Sequence, residues 1–325
     1  MEIRSFMPED YPAIVDIHNS LNIAWPERPR APEAWAESDR SRSPRCKYKA
    51  WVAIENGGVV GFSSFEQSPW SYPPQSFTIN VEVFPAHQRC GIGTALYNQI
   101  MEELQAFNPP ALRADAFVNL PQGFAFLQKR GFYEASRETP VHLDVSTFDQ
   151  RPYAELERRL NAEGIVIKTL RELESDAERD RKVYDLYWEV DADVPHEGDP
   201  LEKPGFDDWM AWGLNDPSVL HDAYFIAVRG EEYIGLRELG RYSDSDTLLG
   251  SLLGVRREYR KRGIGLAMQL RGIAYAKEHG YRLLKTCTSI QNTPMQALFN
   301  KLGYARDPEW QQCQKNIHDQ EEVKL

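Results

Sequence analysis

Paired cysteines, long apolar runs and an excess of positive charge are all missing from this sequence of 325 residues. The four cysteines, Cys46, Cys90, Cys287 and Cys313, are too far apart for a zinc ribbon or a redox pair, so we expect no metal site and reduced thiols in the cytoplasm. No apolar stretch approaches the roughly 18 residues of a membrane span. The first residues carry charged side chains and lack the apolar segment of a secretory signal.

The charge balance limits the partners that the protein can have. Lys and Arg number 38 against 49 Asp and Glu, which leaves a net charge of −11. Nucleic acids and anionic membranes are polyanions, so we expect neither as a general partner. The 42% of hydrophobic residues can build packed cores, and the length is about twice the ~150 residues of a typical domain.

The chain repeats itself once. Residues 88–93 (QRCGIG) are echoed 172 positions later by residues 260–265 (RKRGIG), and the same offset separates Val83 from Val255 and Gly131 from Gly303. Two unrelated domains with similar glycine turns are the alternative, and the shared order of the landmarks favours a duplication. We expect one domain over residues 1–150 and a second over 151–325, which begins with a linker helix at about 151–163.

Each half predicts the same series of elements. In the first half these are a hairpin turning at Asn56-Gly57-Gly58, a strand ending at Val83, and then a helix, a strand and a helix over residues 93–106, 111–118 and 121–130. In the second half the predicted elements are strands over 224–228, 232–241, 248–255 and 283–288, a helix over 266–279, and a helix capped by Asn292. Both halves are therefore expected to be α+β.

The repeated glycine segments lie between a predicted strand and a predicted helix. The first amides of a helix have no intrahelical acceptor, and the helix dipole favours negative charge there. Glycine lets the backbone approach an anion closely. Neither segment continues as the Gly-Lys-Ser/Thr of a P-loop, and neither has the third glycine of a dinucleotide fingerprint. We therefore expect two anion sites of another kind.

Basic residues beside the second glycine segment indicate the type of anion. Five cations occur within seven positions, at Arg256, Arg257, Arg260, Lys261 and Arg262. A solvated or ion-paired surface cluster is one interpretation, and a ligand with several phosphates is the one that we favour. The first segment has only Arg89 as an unambiguous cation, so we expect weaker binding there. A nucleotide-binding enzyme would use the same features and stays open as a weaker alternative.

With these residues in place, the sequence resembles a known family. The pattern Gln/Arg-x-x-Gly-x-Gly after a strand resembles the acetyl-CoA motif of the GNAT acyltransferase superfamily, and residues 292–304 resemble its later helix and Gly-Phe/Tyr ending. Because both halves match, the whole chain resembles a tandem GNAT protein. The resemblance implies two tandem GNAT-like folds, each with a mixed, mostly antiparallel sheet flanked by helices.

The resemblance also implies how acetyl-CoA would bind. Val83 and Val255 would pair with the pantetheine arm, beside a splay between two strands that admits the thioester, and Asn292 would contact the cofactor from the next helix. The backbone of each turn would hold the pyrophosphate. The residues concerned are Gln88, Arg89, Cys90, Gly91, Ile92, Gly93 and Thr94 in the first half, and Arg260, Lys261, Arg262, Gly263, Ile264, Gly265 and Leu266 in the second.

Acetyl transfer to an amine needs a base for the amine and an acid for the departing thiolate. Many family members place a tyrosine acid four residues before the Gly-Phe/Tyr pair, where this chain has Leu127 and Phe299. A water, another residue or a role in binding alone must replace it. The candidate bases are Glu82 in the first half and Glu238 and His196 in the second. Glu82 would otherwise face solvent, and the acidic loop around His196 is either a solvated connector or a wall of the acceptor site.

The function expected from these features is acetyl-CoA-dependent N-acetylation of a primary amine. Acidic residues on the acceptor side predict a small cationic acceptor, and the cation-rich turn makes the C-terminal domain the better candidate for activity. The alternative is a non-catalytic acyl-CoA-binding or regulatory protein. We expect a monomer or a homodimer.

Overall fold

The computed structural model describes residues 1–21, 31–40, 42, 46–67, 76–195, 203–241 and 246–317. They form two compact units. The first unit contains residues 1–138 and 308–317, and the second contains residues 139–195 and 203–307. Within these ranges, no helix is both long enough and apolar enough to span a bilayer.

The described ranges contain helices and strands in alternation. The helices are α1 (Tyr11–Leu21), α2 (Pro32–Arg40), α3 (Ile92–Leu104), α4 (Pro121–Gln128), α5 (Leu156–Ala162), α6 (Arg179–Asp191), α7 (Phe206–Trp212), α8 (Ile264–Glu278) and α9 (Thr293–Leu302). The strands are β1 (Glu2–Ser5), β2 (Tyr48–Glu55), β3 (Gly58–Glu66), β4 (Ser76–Val83), β5 (Ala111–Phe117), β6 (Tyr133–Asp144), β7 (Ile165–Thr169), β8 (Phe225–Arg229), β9 (Glu232–Arg241), β10 (Thr247–Val255), β11 (Leu283–Ser289), β12 (Ala305–Arg306) and β13 (Trp310–Asn316).

The first unit is built on a sheet with the order β1-β2-β3-β4-β5-β13-β6. Neighbouring strands of this sheet are antiparallel, except that β4 and β5 are parallel. Asn56 and Gly57 have positive φ angles, as the predicted hairpin turn requires. On α3, the predicted apolar face of Leu96, Ile100 and Leu104 is buried in the core.

The second unit repeats this arrangement with the order β6-β11-β10-β9-β8-β7, and β12 pairs with β6. Its parallel pair is β10 with β11, which corresponds to β4 with β5. The predicted fold class, α+β with a mixed and mostly antiparallel sheet flanked by helices, is therefore confirmed for both units. The helix α5 lies in the segment where the linker helix is predicted.

The two units exchange strands along the chain. The last strand, β13, lies between β5 and the first half of β6, so the end of the chain completes the sheet of the first unit. The second half of β6, beyond Glu138, belongs to the second unit, where His142 and Val141 pair with β12. Each sheet thus takes one strand from the half of the sequence that builds the other unit.

Alternate side chains of strand β13 are buried in the core of the first unit. Cys313 is 1% exposed and packs in the core with Leu112 and Phe132, while its neighbour Gln312 is exposed. Cys313 pairs with Ala114 on one side and with Glu134 on the other. This strand therefore contributes to the core of the first unit as well as to its hydrogen bonds.

We predict that Cys313→Asp lowers the free energy of unfolding by about 3 kcal/mol or more, because it places a carboxylate in an apolar core. Urea denaturation measures the loss. The matched control is Gln312→Asp, which puts the same residue at the adjacent exposed position and should cost less than about 1 kcal/mol. Equal losses for both variants would contradict the burial of β13 in the first unit.

Candidate active sites

A V-shaped opening lies between the two parallel strands of each unit. In the first unit the parallel pairing runs from Ser76–Ala111 to Thr78–Arg113, and β4 then continues to Val83 apart from β5. In the second unit it runs from Thr247–Leu283 to Leu249–Lys285, and β10 continues to Val255. The splay that the family resemblance implies is therefore present twice. Its open end leads into the glycine turn.

The glycine turns share an unusual backbone. Arg89 and Gly91 have φ angles of 66° and 88°, and Lys261 and Gly263 have matching angles of 62° and 90°. When residues with a left-handed backbone conformation alternate with residues of negative φ, successive backbone N–H groups point to one side and form an anion-binding concavity. The helices α3 and α8 begin at the next residue, so their dipoles add to the attraction. Both predicted turns thus have the geometry of a phosphate site.

The first residue of each motif fastens the turn to the strand before it. The Nε2 of Gln88 donates to the carbonyl of Val83 over 3.0 Å, and the Nε of Arg260 donates to the carbonyl of Val255 over 2.8 Å. The same contact at the same offset supports the equivalence of the two copies. It also occupies one lone pair of the carbonyl on each strand that would pair with pantetheine.

The cations of the second turn are largely ion-paired within the unit. Both carboxylate oxygens of Asp193 accept from Nε of Arg257, over 2.9 and 3.0 Å, and Asp193 also accepts from Arg260. These hydrogen bonds lower the pKa of Asp193 to about 2. Arg256 lies 3.2 Å from Glu189 and also pairs with Glu232. Arg262 also lies 3.7 Å from Glu163. The expected cluster of five phosphate-facing cations is thus reduced, because acidic side chains already hold four of them.

A cavity of about 640 Å³ lies beside the second turn. Its wall is rich in cations, which are Arg158 and Arg159 of the α5 segment, Lys261 and Arg262 of the turn, and Lys301 of α9. Glu155 and Leu156 also line the cavity on the α5 side. The cavity therefore joins a helix N-terminus to positive side chains from three segments, which suits the phosphates of a nucleotide-containing cofactor.

Helix α5 packs closely over the second turn. A Cβ on Gly263 would lie 2.9 Å from Cδ1 of Leu156 and 3.2 Å from Nη2 of Arg159, and the same Nη2 donates to the carbonyl of Arg262 over 3.1 Å. A Cβ on Gly91 in the first turn would meet nothing within 4 Å. The two turns therefore share a backbone but differ in what covers them.

Arg130 supplies a second cation beside the first turn, which the sequence analysis missed. Its Nη2 donates to Oγ1 of Thr94 over 2.8 Å, and its guanidinium stacks 3.5 Å from the centre of the Phe126 ring. Burial against these groups lowers its pKa. Arg130 directly precedes Gly131 of the family's Gly-Phe/Tyr ending, and this position could have predicted it as a site residue.

Glu82 lies on the face of the first sheet that packs against α1. Its Oε1 is 3.0 Å from Nδ1 of His18 and accepts from Nδ2 of Asn80 over 3.2 Å. Its Oε2 is buried and has no hydrogen-bond partner among the residues that the structure describes. The expected solvent-facing alternative is wrong, since the side chain of Glu82 is only 14% exposed. His18, on α1, carried no sequence signal.

The second unit has no room for a carboxylate at the equivalent position. Gly254 pairs with Leu236 in the same way as Glu82 pairs with Phe62, so Gly254 is the residue equivalent to Glu82. A Cβ added to Gly254 would lie 2.5 Å from Cβ of Val190 on α6. A valine side chain thus fills the space that Glu82 uses in the first unit. Any base of the second unit must come from another strand.

Glu238 supplies a carboxylate from the adjacent strand, β9. It lies opposite the irregularity of β10 between Gly250 and Leu253, next to the point where β10 leaves β11. Burial raises its pKa to about 7, against the opposing effect of the Arg237 charge. A carboxyl group with this pKa exchanges protons near neutral pH.

Aromatic residues surround Glu238. Burial raises the pKa of Tyr187 and of Tyr224, and the charge of Glu238 raises both further. The Tyr224 hydroxyl and the Trp188 indole N–H are buried and have no hydrogen-bond partner in the described part of the chain. Buried polar groups normally have hydrogen-bond partners, so a water or a polar ligand would satisfy each of these groups at its own position.

The remaining predicted residues are placed as follows. Leu127 and Phe299, at the positions of the missing tyrosine acid, are both buried in the cores. Asn292 caps α9 by accepting from the N–H of Met295 over 3.3 Å, and its contact with a cofactor stays a prediction. His196 lies outside the described residues. Within the described ranges, no group of three metal-ligating side chains is present.

Comparison with known proteins places this geometry in a family. The model of the acetyltransferase (GNAT) family matches residues 14–132 and again residues 180–304. The chain therefore belongs to the GNAT acetyltransferase family, and it contains two GNAT domains in tandem. A search of curated proteins found no significant match.

Three solved structures resemble the chain over nearly its whole length. A GCN5-related N-acetyltransferase from Sphaerobacter thermophilus has 17% identity and a TM-score of 0.73, with 97% of this chain and 95% of that chain covered. A tandem GNAT protein from the clavulanic acid biosynthesis pathway has 18% identity and a TM-score of 0.70, with 97% and 98% covered. The glucosamine N-acetyltransferase region of a fungal multi-domain GH3 beta-N-acetylglucosaminidase has 14% identity and a TM-score of 0.72, with 96% and 38% covered. At these identities the likeness concerns the fold alone.

We predict that Gly263→Ala destabilises the protein more than Gly91→Ala. Both variants meet the cost of a left-handed backbone, about 1 kcal/mol, but only Gly263→Ala also pushes a methyl group against Leu156 and Arg159, which should cost about 1–2 kcal/mol more. Urea denaturation of the two variants measures the difference, and each serves as the control for the other. A loss that is the same in both would contradict the packing of α5 on the second turn.

Proposed function

We propose that the protein is an acetyl-CoA-dependent N-acetyltransferase that acetylates the primary amine of a small cationic acceptor, with the second unit as the active one. The observation that carries this proposal is the position of Glu238, a carboxyl group with a pKa of about 7 beside the splay of a GNAT domain. When bound, acetyl-CoA supplies an acetyl group activated as a thioester.

The residues of the second unit would divide the work of binding. The amides around Gly263 at the start of α8 would hold the pyrophosphate, and Lys261, Arg262 and Lys301 line the adjacent cavity, where further phosphate charge fits. The splayed edge of β10 up to Val255 is free of β11 and can pair with an extended arm. A backbone N–H of this edge would polarise the carbonyl of the thioester.

Glu238 would accept the proton of the incoming amine. An amine must be neutral at nitrogen to attack a carbonyl, and a base with a pKa near the working pH removes the proton most effectively. The carboxylates of Glu238 and Asp191, together with the rings of Tyr187 and Tyr224, form surroundings that attract an ammonium group before it is deprotonated. A cationic acceptor is favoured for this reason.

We predict that Glu238→Gln lowers kcat by about 10²–10⁴-fold, since the amide cannot accept a proton. For the unmodified protein, kcat/KM should rise with pH through about 7, because the carboxyl group with the raised pKa acts only when deprotonated. Acceptor-dependent release of CoA, followed with a thiol reagent across a panel of amines, measures both effects.

Two variants make this test specific. Glu231→Gln removes an exposed carboxylate from the turn before the same strand and should leave kcat and the pH profile unchanged. Glu82→Gln reports on the first unit. If Glu82→Gln abolishes turnover while Glu238→Gln retains it with the original pH profile, the assignment of activity to the second unit is wrong.

A second candidate function is binding of acyl-CoA without catalysis. It is favoured by the burial of Leu127 and Phe299, which leaves neither unit with a tyrosine acid at the family position. Calorimetry would count the CoA molecules bound per chain. Binding without CoA release for any amine would support this function, and acceptor-dependent turnover at ordinary enzyme rates would exclude it.

A further inference from the structure

Arg237 is a buried cation at the centre of the second unit. It is 2% exposed on β9, and its guanidinium lies against the backbone of Gly250 on β10, where an added Cβ would be 2.8 Å from Cζ. Its Nη1 donates to the carbonyl of Glu238 over 2.8 Å. Its Nε is buried without a hydrogen-bond partner. The charge of Glu238 acts on Arg237 from nearby, but among the described residues Arg237 forms no ion pair. A buried guanidinium without an ion-pair partner is costly, so this arrangement indicates that an anion would bind here.

The guanidinium lies at the closed end of the splay. The last parallel pair is Leu249 with Lys285, and Gly250 is the next residue along β10. There Oγ1 of Thr286, on β11, donates to the carbonyl of Gly250 over 2.8 Å and joins the two strands where they part. A thioester whose phosphates rest on the turn at the open end would therefore direct its acyl group towards Arg237.

At the position equivalent to Arg237 the first unit carries no charge. Arg237 pairs with Leu253 as Ser63 pairs with Val81, so Ser63 is the residue equivalent to Arg237. Around Arg237 the second unit also has Gln269 and Tyr304, whose side chains are hydrogen-bonded to each other, where the first has Tyr97 and Phe132. The buried guanidinium at this position is thus found in the second unit and not in the first.

We propose that the second unit takes an acyl-CoA whose acyl chain ends in a carboxylate, and that Arg237 pairs with this carboxylate. The inference rests on the proposed function and extends its donor from acetyl-CoA to a preferred dicarboxylic acyl-CoA. In the transfer, a C–N bond forms between the amine and the acyl carbon while the C–S bond breaks. Glu238 takes a proton from the amine nitrogen, and the sulfur leaves as a thiolate that a water molecule protonates to the thiol. The product is an amide with a free carboxylate.

The test compares thioesters that differ in charge. Succinyl-CoA and butyryl-CoA have acyl chains of the same number of carbons, and only the first ends in a carboxylate. We expect the full-length protein to bind succinyl-CoA about tenfold or more tightly than butyryl-CoA, the scale of a hydrogen bond between charged groups. Isothermal titration calorimetry measures both affinities, and acetyl-CoA is titrated beside them.

The variant Arg237→Met should abolish the preference for succinyl-CoA and leave the affinity for butyryl-CoA unchanged or higher. Arg241→Met is the matched control, because Arg241 lies exposed on the same strand, and it should keep the preference. The comparison within the unmodified protein needs no variant, so a failure of Arg237→Met to fold leaves the proposal testable. Equal binding of the two thioesters would overturn this inference alone, whereas the absence of binding for all three, acetyl-CoA included, would overturn the proposed function as well.

Discussion

The parting of two parallel strands after three residue pairs is the constraint on which both units depend. Because β4 leaves β5 at Thr78 and β10 leaves β11 at Leu249, each sheet keeps an unpaired edge in its interior. Backbone groups at such an edge need partners, which an extended ligand can provide. The glycine turn and the helix that follows lie at the mouth of the same opening. The break in strand pairing therefore brings an unpaired strand edge, an anion site and a carboxylate (Glu82 or Glu238) close together.

Duplication has preserved this backbone while the chemistry inside it has changed. The turns have nearly the same φ angles, and Gln88 and Arg260 make the same contact with the strand. The side chains at the splay differ, however. In the first unit Glu82 contacts His18, whereas in the second unit the equivalent residue is Gly254, which Val190 covers. The candidate carboxylate of the second unit is that of Glu238, on the neighbouring strand. The two halves are therefore copies in fold that differ in the side chains around the splay.

Local patterns predicted much of this structure. The hairpin, the glycine turns and the helix cap at Asn292 depend on residues close in sequence, and their bounds agree within a few residues. The ion pairs of Arg257 and Arg260 with Asp193, the contact of His18 with Glu82 and the insertion of β13 join residues distant in sequence, which spacing and periodicity do not reveal. The division at residues 150 and 151, the cofactor contacts and the catalytic roles of Glu82, Glu238 and His196 stay predictions.

The placement of β13 has a consequence for the synthesis of the chain. The first unit cannot complete its sheet while the ribosome is still making residues 139–307, because the strand that fills the gap between β5 and β6 is translated after them. Until then Leu112 and Phe132 lack the side of the core that Cys313 covers, and two strand edges stay open to other chains. The order of translation therefore sets the interval during which the first unit is most exposed to aggregation.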